Sequence, residues 1–140
     1  MPLLNIVGVT CMHKTFHISF CFLSNETEES YNWALCELAK LFTPGYKPGV
    51  IIMDRDLALL NAVFSVFPQS KRQLCTWHVE KNVLIQASLY FREAADREEF
   101  MKAWTTVIQS TSTTAYEANW SALKLRYQQY PRLIHYITVT

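Results

Sequence analysis

Three side chains in this sequence have the type and the placement to do chemistry: Asp54, Cys75 and His78. Asp54 ends the apolar run VIIMD and precedes a run with helical spacing, which predicts a strand-to-helix junction. In open α/β sheets, ligands bind outside the carboxyl ends of strands, and a carboxylate there suits a divalent metal ion. The alternative is that Asp54 caps the helix that begins at Arg55 or Asp56. Position alone favours neither interpretation.

Cys75 and His78 stand three residues apart in the stretch QLCTWHVEKN, so the pair suggests half of a zinc site. A structural zinc site needs four such ligands, and no second close pair is suitable, since His13 and His17 fall on an expected hairpin. A nucleophilic Cys/His pair is a second interpretation, although such neighbours at a strand-to-helix turn seldom face each other. The third is structural, with Cys75 buried in a strand and His78 capping a helix or exposed. We therefore expect no zinc.

The composition is that of a globular protein without a marked charge. The 140 residues are 50% hydrophobic and 18% charged, which is enough for one domain with a core and excludes a disordered chain. A formal net charge of +1 identifies no partner. The basic residues are scattered, which is typical of a solvated face and does not by itself indicate phosphate binding; those considered are Lys71, Arg72, Lys124, Arg126 and Arg132.

Neither a secretory signal nor a membrane span is expected. The first ten residues, MPLLNIVGVT, have no basic segment and no small-residue cleavage site. No apolar run approaches the roughly 20 residues that a transmembrane helix needs. The four cysteines show no C-x-x-C spacing, so reduced thiols in an intracellular, soluble chain are expected.

The periodicity predicts strands and helices in a mixed order. Two strands, 3–12 and 16–23, form an antiparallel hairpin, and a helix capped by Asn25 follows. A buried strand then leads to Asp54, a helix runs over 57–67, and a further strand is expected over 73–77. The rest is helical, with a capping box at Thr114 and Glu117 before the last helix. The tail PRLIHYITVT is ambiguous between the start of a strand and a reading-frame artefact.

The motifs together resemble one family, the Mutator-like element (MULE) transposase domain. PLLNIVGV resembles its second strand, and LSNETEESYNW resembles its strand-to-helix passage. IMDRDLALLNA resembles the segment that holds its second catalytic Asp, and LCTWHVEKN resembles its C-x-x-H signature. The matches are in the family's order over about residues 2–85, and the helical remainder is more weakly similar to the family's helical insertion.

The resemblance implies an α/β fold: an incomplete ribonuclease-H-like mixed sheet that lacks the first, central strand, followed by an α-helical insertion region. It places a partial transposase domain at residues 1–92 and the insertion at 93–140. Loss of the central strand would leave two inner sheet edges unpaired, so we expect the chain to be poorly stable alone or to need a partner strand.

The resemblance also implies chemistry at an Asp-Asp-Glu triad, which binds two divalent metal ions, Mg²⁺ or Mn²⁺, for phosphoryl transfer on DNA. Only Asp54 matches a triad acid, the second one; no Asp precedes it in the sequence, and Glu117 is not a good match for the final Glu. Cys75 and His78 match the supporting C-x-x-H signature, with Cys75 packed into the sheet and His78 near the catalytic face. One acid does not hold two metal ions, so the chain alone is expected to bind neither and to be inactive.

Two functions follow from the resemblance. The first is a fragment of a DNA transposase that acts on transposon ends, and the alternative is a transposase-derived, non-enzymatic DNA-associated regulator. Both imply DNA as the partner and a nuclear location, with no membrane association, and a homo-oligomer is compatible with either.

Overall fold

The computed structural model describes residues 1–139, which form two compact units, one over Met1–Leu74 and one that begins at Cys75. The first unit is mixed α/β and the second is helical. The prediction of a mixed α/β chain with several helices is therefore confirmed. The predicted domain boundary between residues 92 and 93 stays a prediction.

The first unit contains four strands and two helices. The strands are β1 (Leu3–Val9), β2 (Thr15–Phe22), β3 (Val50–Met53) and β4 (Lys71–Leu74). The helices are α1 (Glu28–Lys40), between β2 and β3, and α2 (Leu57–Val66), between β3 and β4.

The strands form two separate sheets of two strands each. β1 and β2 are an antiparallel hairpin whose register shifts between Ile6 and Val7, and β3 and β4 are parallel. The hairpin turn is held by a hydrogen bond from Thr10 N to Lys14 O (2.9 Å) and places His13 at φ 57°, a left-handed conformation. The expected hairpin is confirmed, and each small sheet leaves strand edges without a partner among residues 1–139.

One hydrophobic core holds the first unit together. α1 and α2 supply most of its buried side chains, including Leu35 and Val63, because apolar residues recur on one side of each helix. Both small sheets pack against this core, β1 through Leu4 and β3 through Met53. The other faces of the sheets remain exposed and carry large apolar side chains: Leu3, Val7, Val9, Phe20, Phe22, Val50 and Ile52.

The second unit contains four helices around a separate core. They are α3 (Thr76–Ala87), α4 (Ala94–Ile108), α5 (Thr113–Arg126) and α6 (Pro131–Val139). Aromatic rings dominate this core; Phe91 and Phe100 lie with centroids 5.4 Å apart, and Tyr127 meets Phe100 edge-on at 5.0 Å. Within the described residues, no helix combines the length and apolar character needed to cross a bilayer.

The structure corrects the sequence-based expectation for the tail. Residues 131–139 form α6 rather than a strand, and Leu133 and Ile137 are buried in the core of the second unit. Pro131 occupies the first helical position, where its fixed φ and missing N–H do no harm. Thr140, the last residue of the predicted tail, lies outside the described residues.

Three local predictions were also wrong. The strand expected over 73–77 is β4, which ends at Leu74 because α3 begins at Thr76. The cap of α1 is Thr27, whose side chain accepts a hydrogen bond from Ser30 N, and not Asn25. The cap of α5 is Ser112, not Thr114, and its hydroxyl accepts from Ala115 N at 3.2 Å.

Candidate functional site

Asp54 lies where the sequence places it, one residue beyond the end of β3. The preceding residue, Met53, is buried in the core of the first unit, and Asp54 itself is half-buried. Because β3 and β4 are parallel, Asp54 stands outside the carboxyl end of a parallel strand, the edge at which α/β sheets bind ligands.

The cap of α2 is Asp56 and not Asp54. The Asp56 backbone is extended (φ −89°, ψ 120°), and its Oδ1 accepts a hydrogen bond from Leu59 N at 2.8 Å. This is the geometry of an N-cap, so Asp56 has the helix-capping role that the sequence left open for Asp54. Among residues 1–139, the Asp54 carboxylate has neither a hydrogen bond nor an ion pair, which leaves its oxygens open to an external ligand.

Tyr31 of α1 experiences the negative charge of this region. Burial raises the pKa of its phenol to about 12, and the carboxylates of Asp56, Glu26 and Asp54 act in the same direction. Each carboxylate disfavours the phenolate because like charges repel. The carboxylates of Asp56, Glu26 and Asp54 therefore all act on the phenol of Tyr31.

A hydrogen bond joins the two helices of the first unit, α1 and α2. Asn61 Nδ2 of α2 donates a hydrogen bond to Glu28 Oε2 of α1 at 3.0 Å. The two helices also bury side chains in the same core. The segment that carries Asp54 is therefore attached on both sides to packed elements, through β3 before it and α2 after it.

Cys75 and His78 belong to the second unit, at the start of α3. Cys75 is the N-cap residue of α3, half-buried, and makes no side-chain cap hydrogen bond, so the expectation that it packs into a strand is wrong. His78 lies in the first turn, half-buried, with its Nδ1 unpaired and its ring edge-on to Trp77 at 4.7 Å. Its supporting role near a catalytic face stays a prediction.

No metal centre is formed by the described residues themselves. Within residues 1–139, no group of three or more His, Cys, Asp or Glu side chains is arranged to hold a metal ion. His17, weighed as part of a second zinc pair, has its Nδ1 3.1 Å from Asn5 Oδ1 and stacks on Phe20 at 4.8 Å. Asp54 is thus a single carboxylate that needs further ligands from elsewhere to bind a metal ion tightly.

The basic side chains make local contacts with aromatic rings and acids. The Arg72 guanidinium lies 4.6 Å from the centre of the Phe64 ring. In the second unit, Lys124 lies over Trp120, and Arg126 pairs with Glu99. Each of these contacts is local to its own unit and is compatible with a solvated face.

The structure also brings out a residue that sequence reasoning did not connect with Asp54. Tyr31 is buried in the core of the first unit. Its sensitivity to Asp54 and Asp56 depends on how α1 packs beside the strand-to-helix junction. No local sequence signal reports such a contact, because about 25 residues separate the two parts of the chain.

Comparison with known proteins gives the class. The family model for the MULE transposase domain matches residues 1–82, which include Asp54, Cys75 and His78. The chain therefore belongs to the MULE transposase domain family, and the resemblance drawn from the motifs is confirmed.

Individual relatives are consistent with this class. The chain is 31% identical to Protein FAR1-RELATED SEQUENCE 6 of Arabidopsis thaliana over 122 residues, which are 86% of this chain and 16% of that protein. It is 22% identical to Protein FAR-RED IMPAIRED RESPONSE 1 of Arabidopsis thaliana over 122 residues, 86% of this chain and 14% of that protein. It is also 32% identical to the PKS-NRPS hybrid synthetase cheA of Chaetomium globosum over 105 residues, which are 71% of this chain and 2% of that protein. The chain thus spans a small part of each of these relatives.

Proposed function

We propose that this chain is a segment of a MULE-type DNA transposase, whose parental activity is metal-dependent DNA cleavage and strand transfer. The observation that carries the proposal is the position of Asp54 together with its unpaired carboxylate. It ends a parallel strand within the family-matched segment, and Asp56 caps the next helix in its place. Its carboxylate is thereby available to a metal ion and would serve as the second acid of a triad.

A ribonuclease-H-like arrangement is part of the proposal. An antiparallel hairpin, a helix and a parallel strand pair with a helix between its strands support it. In such an arrangement the acids come from separate elements and meet at one edge of the sheet. Cys75 and His78 are proposed as supporting residues at the start of α3 rather than as metal ligands.

Two metal ions need bridging carboxylates, and Asp54 offers one. Tight binding of Mg²⁺ or Mn²⁺ would therefore require acids from polypeptide outside the described residues. The ions would activate water or a DNA 3′-hydroxyl for attack on phosphate when bound. In this proposal the 140-residue chain contributes one ligand and is inactive by itself.

The second candidate function is a non-enzymatic, DNA-associated regulator that keeps the fold and has lost the chemistry. The observation that favours it is a relative's name, FAR-RED IMPAIRED RESPONSE 1, which refers to a far-red response and not to transposition. In this case Asp54 would be retained without acting on DNA. DNA as partner and a nuclear location are proposed for both candidates.

The test compares the whole reading frame that contains this chain with the 140-residue chain alone. Each protein is assayed for binding and for nicking of DNA that carries transposon terminal repeats, with Mg²⁺, with Mn²⁺ and with a chelator. We expect metal-dependent nicking from the whole reading frame and none from the chain alone. DNA binding without nicking by the whole protein would favour the regulator, and absence of both would reject both candidates.

A further inference from the structure

One side of α3 carries large apolar side chains that residues 1–139 leave exposed. Trp77 is 58% exposed and Leu84 is 42% exposed. They stand seven residues apart, which is about two helical turns, so they lie on the same side of the helix. Together with Ala94 and Met101 of α4 they line a groove on the surface of the second unit. Contiguous exposed apolar surface is typical of an interaction site.

Two opposite charges lie between these apolar side chains. Glu80 is half-buried in the groove, and its carboxylate has neither a hydrogen bond nor an ion pair within residues 1–139. Lys81 places its ammonium group 5.0 Å from the centre of the Trp77 ring, which holds the cation over the same surface. A partner that brings a cation to Glu80 and an acid to Lys81 would therefore match this surface.

The surface is complementary to itself. Along α3 the four side chains follow the order apolar, acidic, basic, apolar, with the two charges at adjacent positions in the middle: Trp77, Glu80, Lys81 and Leu84. They lie within about 100° of one another around the helix axis. When two copies of α3 pack antiparallel about a twofold axis between residues 80 and 81, Trp77 faces Leu84 of the second copy and Glu80 faces its Lys81. A twofold axis makes each of these pairs occur twice.

The charge of the groove favours a protein partner over a nucleic acid. Its lining contains two acids and two bases, which are Glu80, Glu98, Lys81 and Arg97. Arg97 is also engaged, because its guanidinium donates hydrogen bonds to the carbonyl oxygens of Phe91 and Arg92. A polyanion binds where positive charge is in excess. The balanced lining instead suits a partner that carries both charges, as a second copy of α3 does.

We propose that α3 binds α3 of a second copy of this chain in an antiparallel, twofold contact. In this contact Glu80 pairs with Lys81 of the second copy, and Trp77 packs on its Leu84. The exposed apolar side chains are then covered, and the half-buried carboxylate of Glu80 gains the cation that residues 1–139 do not supply. The contact depends neither on a catalytic role for Asp54 nor on DNA binding.

The first experiment reverses the two charges one at a time in the 140-residue chain. Sedimentation equilibrium should show a dimer of the wild type, and Glu80→Lys or Lys81→Glu should each raise its dissociation constant at least about tenfold, because like charges then meet twice per dimer. An equimolar mixture of the two variants should dimerise as the wild type does, since each then supplies the charge that the other needs. Glu117→Lys, the same charge change at an exposed position of α5, is the matched control and should leave the dimer unchanged.

The second experiment uses the whole reading frame that contains this chain. A carbodiimide joins a carboxylate to an amine that contacts it, and takes up the water that is lost, so it converts a Glu–Lys ion pair into an amide bond. We expect mass spectrometry to detect the peptide that contains Glu80 joined to a second copy of the same peptide through Lys81. A cross-link between two copies of one peptide forms only between two molecules, and Lys81→Glu should remove it.

Three outcomes would overturn the proposal. The first is a dimer that the single charge reversals leave intact or that Glu117→Lys weakens equally. The second is a mixture of the Glu80→Lys and Lys81→Glu variants that stays monomeric, since the reversals would then act within one molecule. The third is a whole protein in which the carbodiimide joins Glu80 only to a lysine outside the 140 residues. That result would assign the surface to another segment of the polypeptide instead.

Discussion

At the scale of single residues, Asp54 and Asp56 form a natural control pair. They are two positions apart at the same junction, but Asp56 accepts a hydrogen bond from the backbone of α2 and Asp54 has no such partner. The sequence places both acids near the start of α2, and it does not reveal which of them caps the helix. That division of roles depends on where α2 begins, which is at Leu57.

The cap gives the first prediction. Asp56→Ala should lower the free energy of unfolding by about 1 kcal/mol, because the Leu59 N–H loses its acceptor. Asp56→Asn should be close to neutral, since Asn caps helices as well as Asp does. Urea denaturation followed by circular dichroism would measure both. A loss from Asp54→Ala as large as that from Asp56→Ala would contradict the assignment of the cap.

Tyr31 gives a prediction about pH. Its pKa is raised from 10.0 to about 12 in the folded chain, so the folded state holds the phenolic proton more tightly than the unfolded state does. The resulting stabilisation is fully present below about pH 10 and is lost as pH rises from about 10 towards about 12. Its upper limit is about 2 to 3 kcal/mol.

The measurement is urea denaturation at a series of alkaline pH values for the wild type and Tyr31→Phe. The substitution should make the decline in unfolding free energy above about pH 10 less steep, because Phe has no proton to lose. Comparing the two proteins cancels the contribution of Tyr127, whose pKa is also raised by burial. Parallel pH profiles would show that Tyr31 titrates as it does in the unfolded chain.

At the scale of elements, the strands and helices with a clear period were predictable and their ends were not. The alternation in β2 and the helical spacing in α1 and α2 follow from one buried face per element. The caps at Thr27 and Ser112 were missed because several Ser, Thr and Asn residues near each helix start compete for the same role.

The sequence of α6 contains two features that are typical of a helix. Leu133, Ile134 and Ile137 lie on one side of a helix, and Pro131 suits its first position. The sequence left the tail ambiguous between the start of a strand and a reading-frame artefact. Leu133 and Ile137 are buried by packing in the core of the second unit, which the tail sequence alone does not show.

The prediction at this scale concerns the burial of α6. Leu133→Ala should lower the free energy of unfolding of the second unit by about 2 to 5 kcal/mol, because a fully buried side chain leaves a cavity in its core. Arg132→Ala, at the neighbouring exposed position, should change it by less than about 0.5 kcal/mol. Hydrogen exchange of α4 and α5 amides would measure both, and equal effects would contradict the packing of α6.

At the scale of the whole molecule, the protein family could be predicted from the order of the motifs. The pairing of the four strands could be seen only in the structure. The stretches around Asp54, Cys75 and His78 identify the MULE family in sequence. That β1–β2 and β3–β4 form two separate sheets follows from pairing between distant parts of the chain, which local patterns do not encode. The resemblance led us to expect unpaired inner sheet edges, but the exposed apolar faces of the two sheets were seen only in the structure.

Nicking of terminal-repeat DNA by the whole reading frame tests most directly the proposal that Asp54 is a metal-binding acid of a transposase. The matched variants are Asp54→Asn and Asp56→Asn, each of which removes one charge at the same junction. We predict Mg²⁺- or Mn²⁺-dependent nicking that Asp54→Asn reduces below detection and Asp56→Asn preserves. The reason is that Asp56 caps α2, whereas the Asp54 carboxylate has no hydrogen bond or ion pair within residues 1–139. Nicking that survives Asp54→Asn, or robust nicking by the 140-residue chain alone that Asp54→Ala abolishes, would contradict the account.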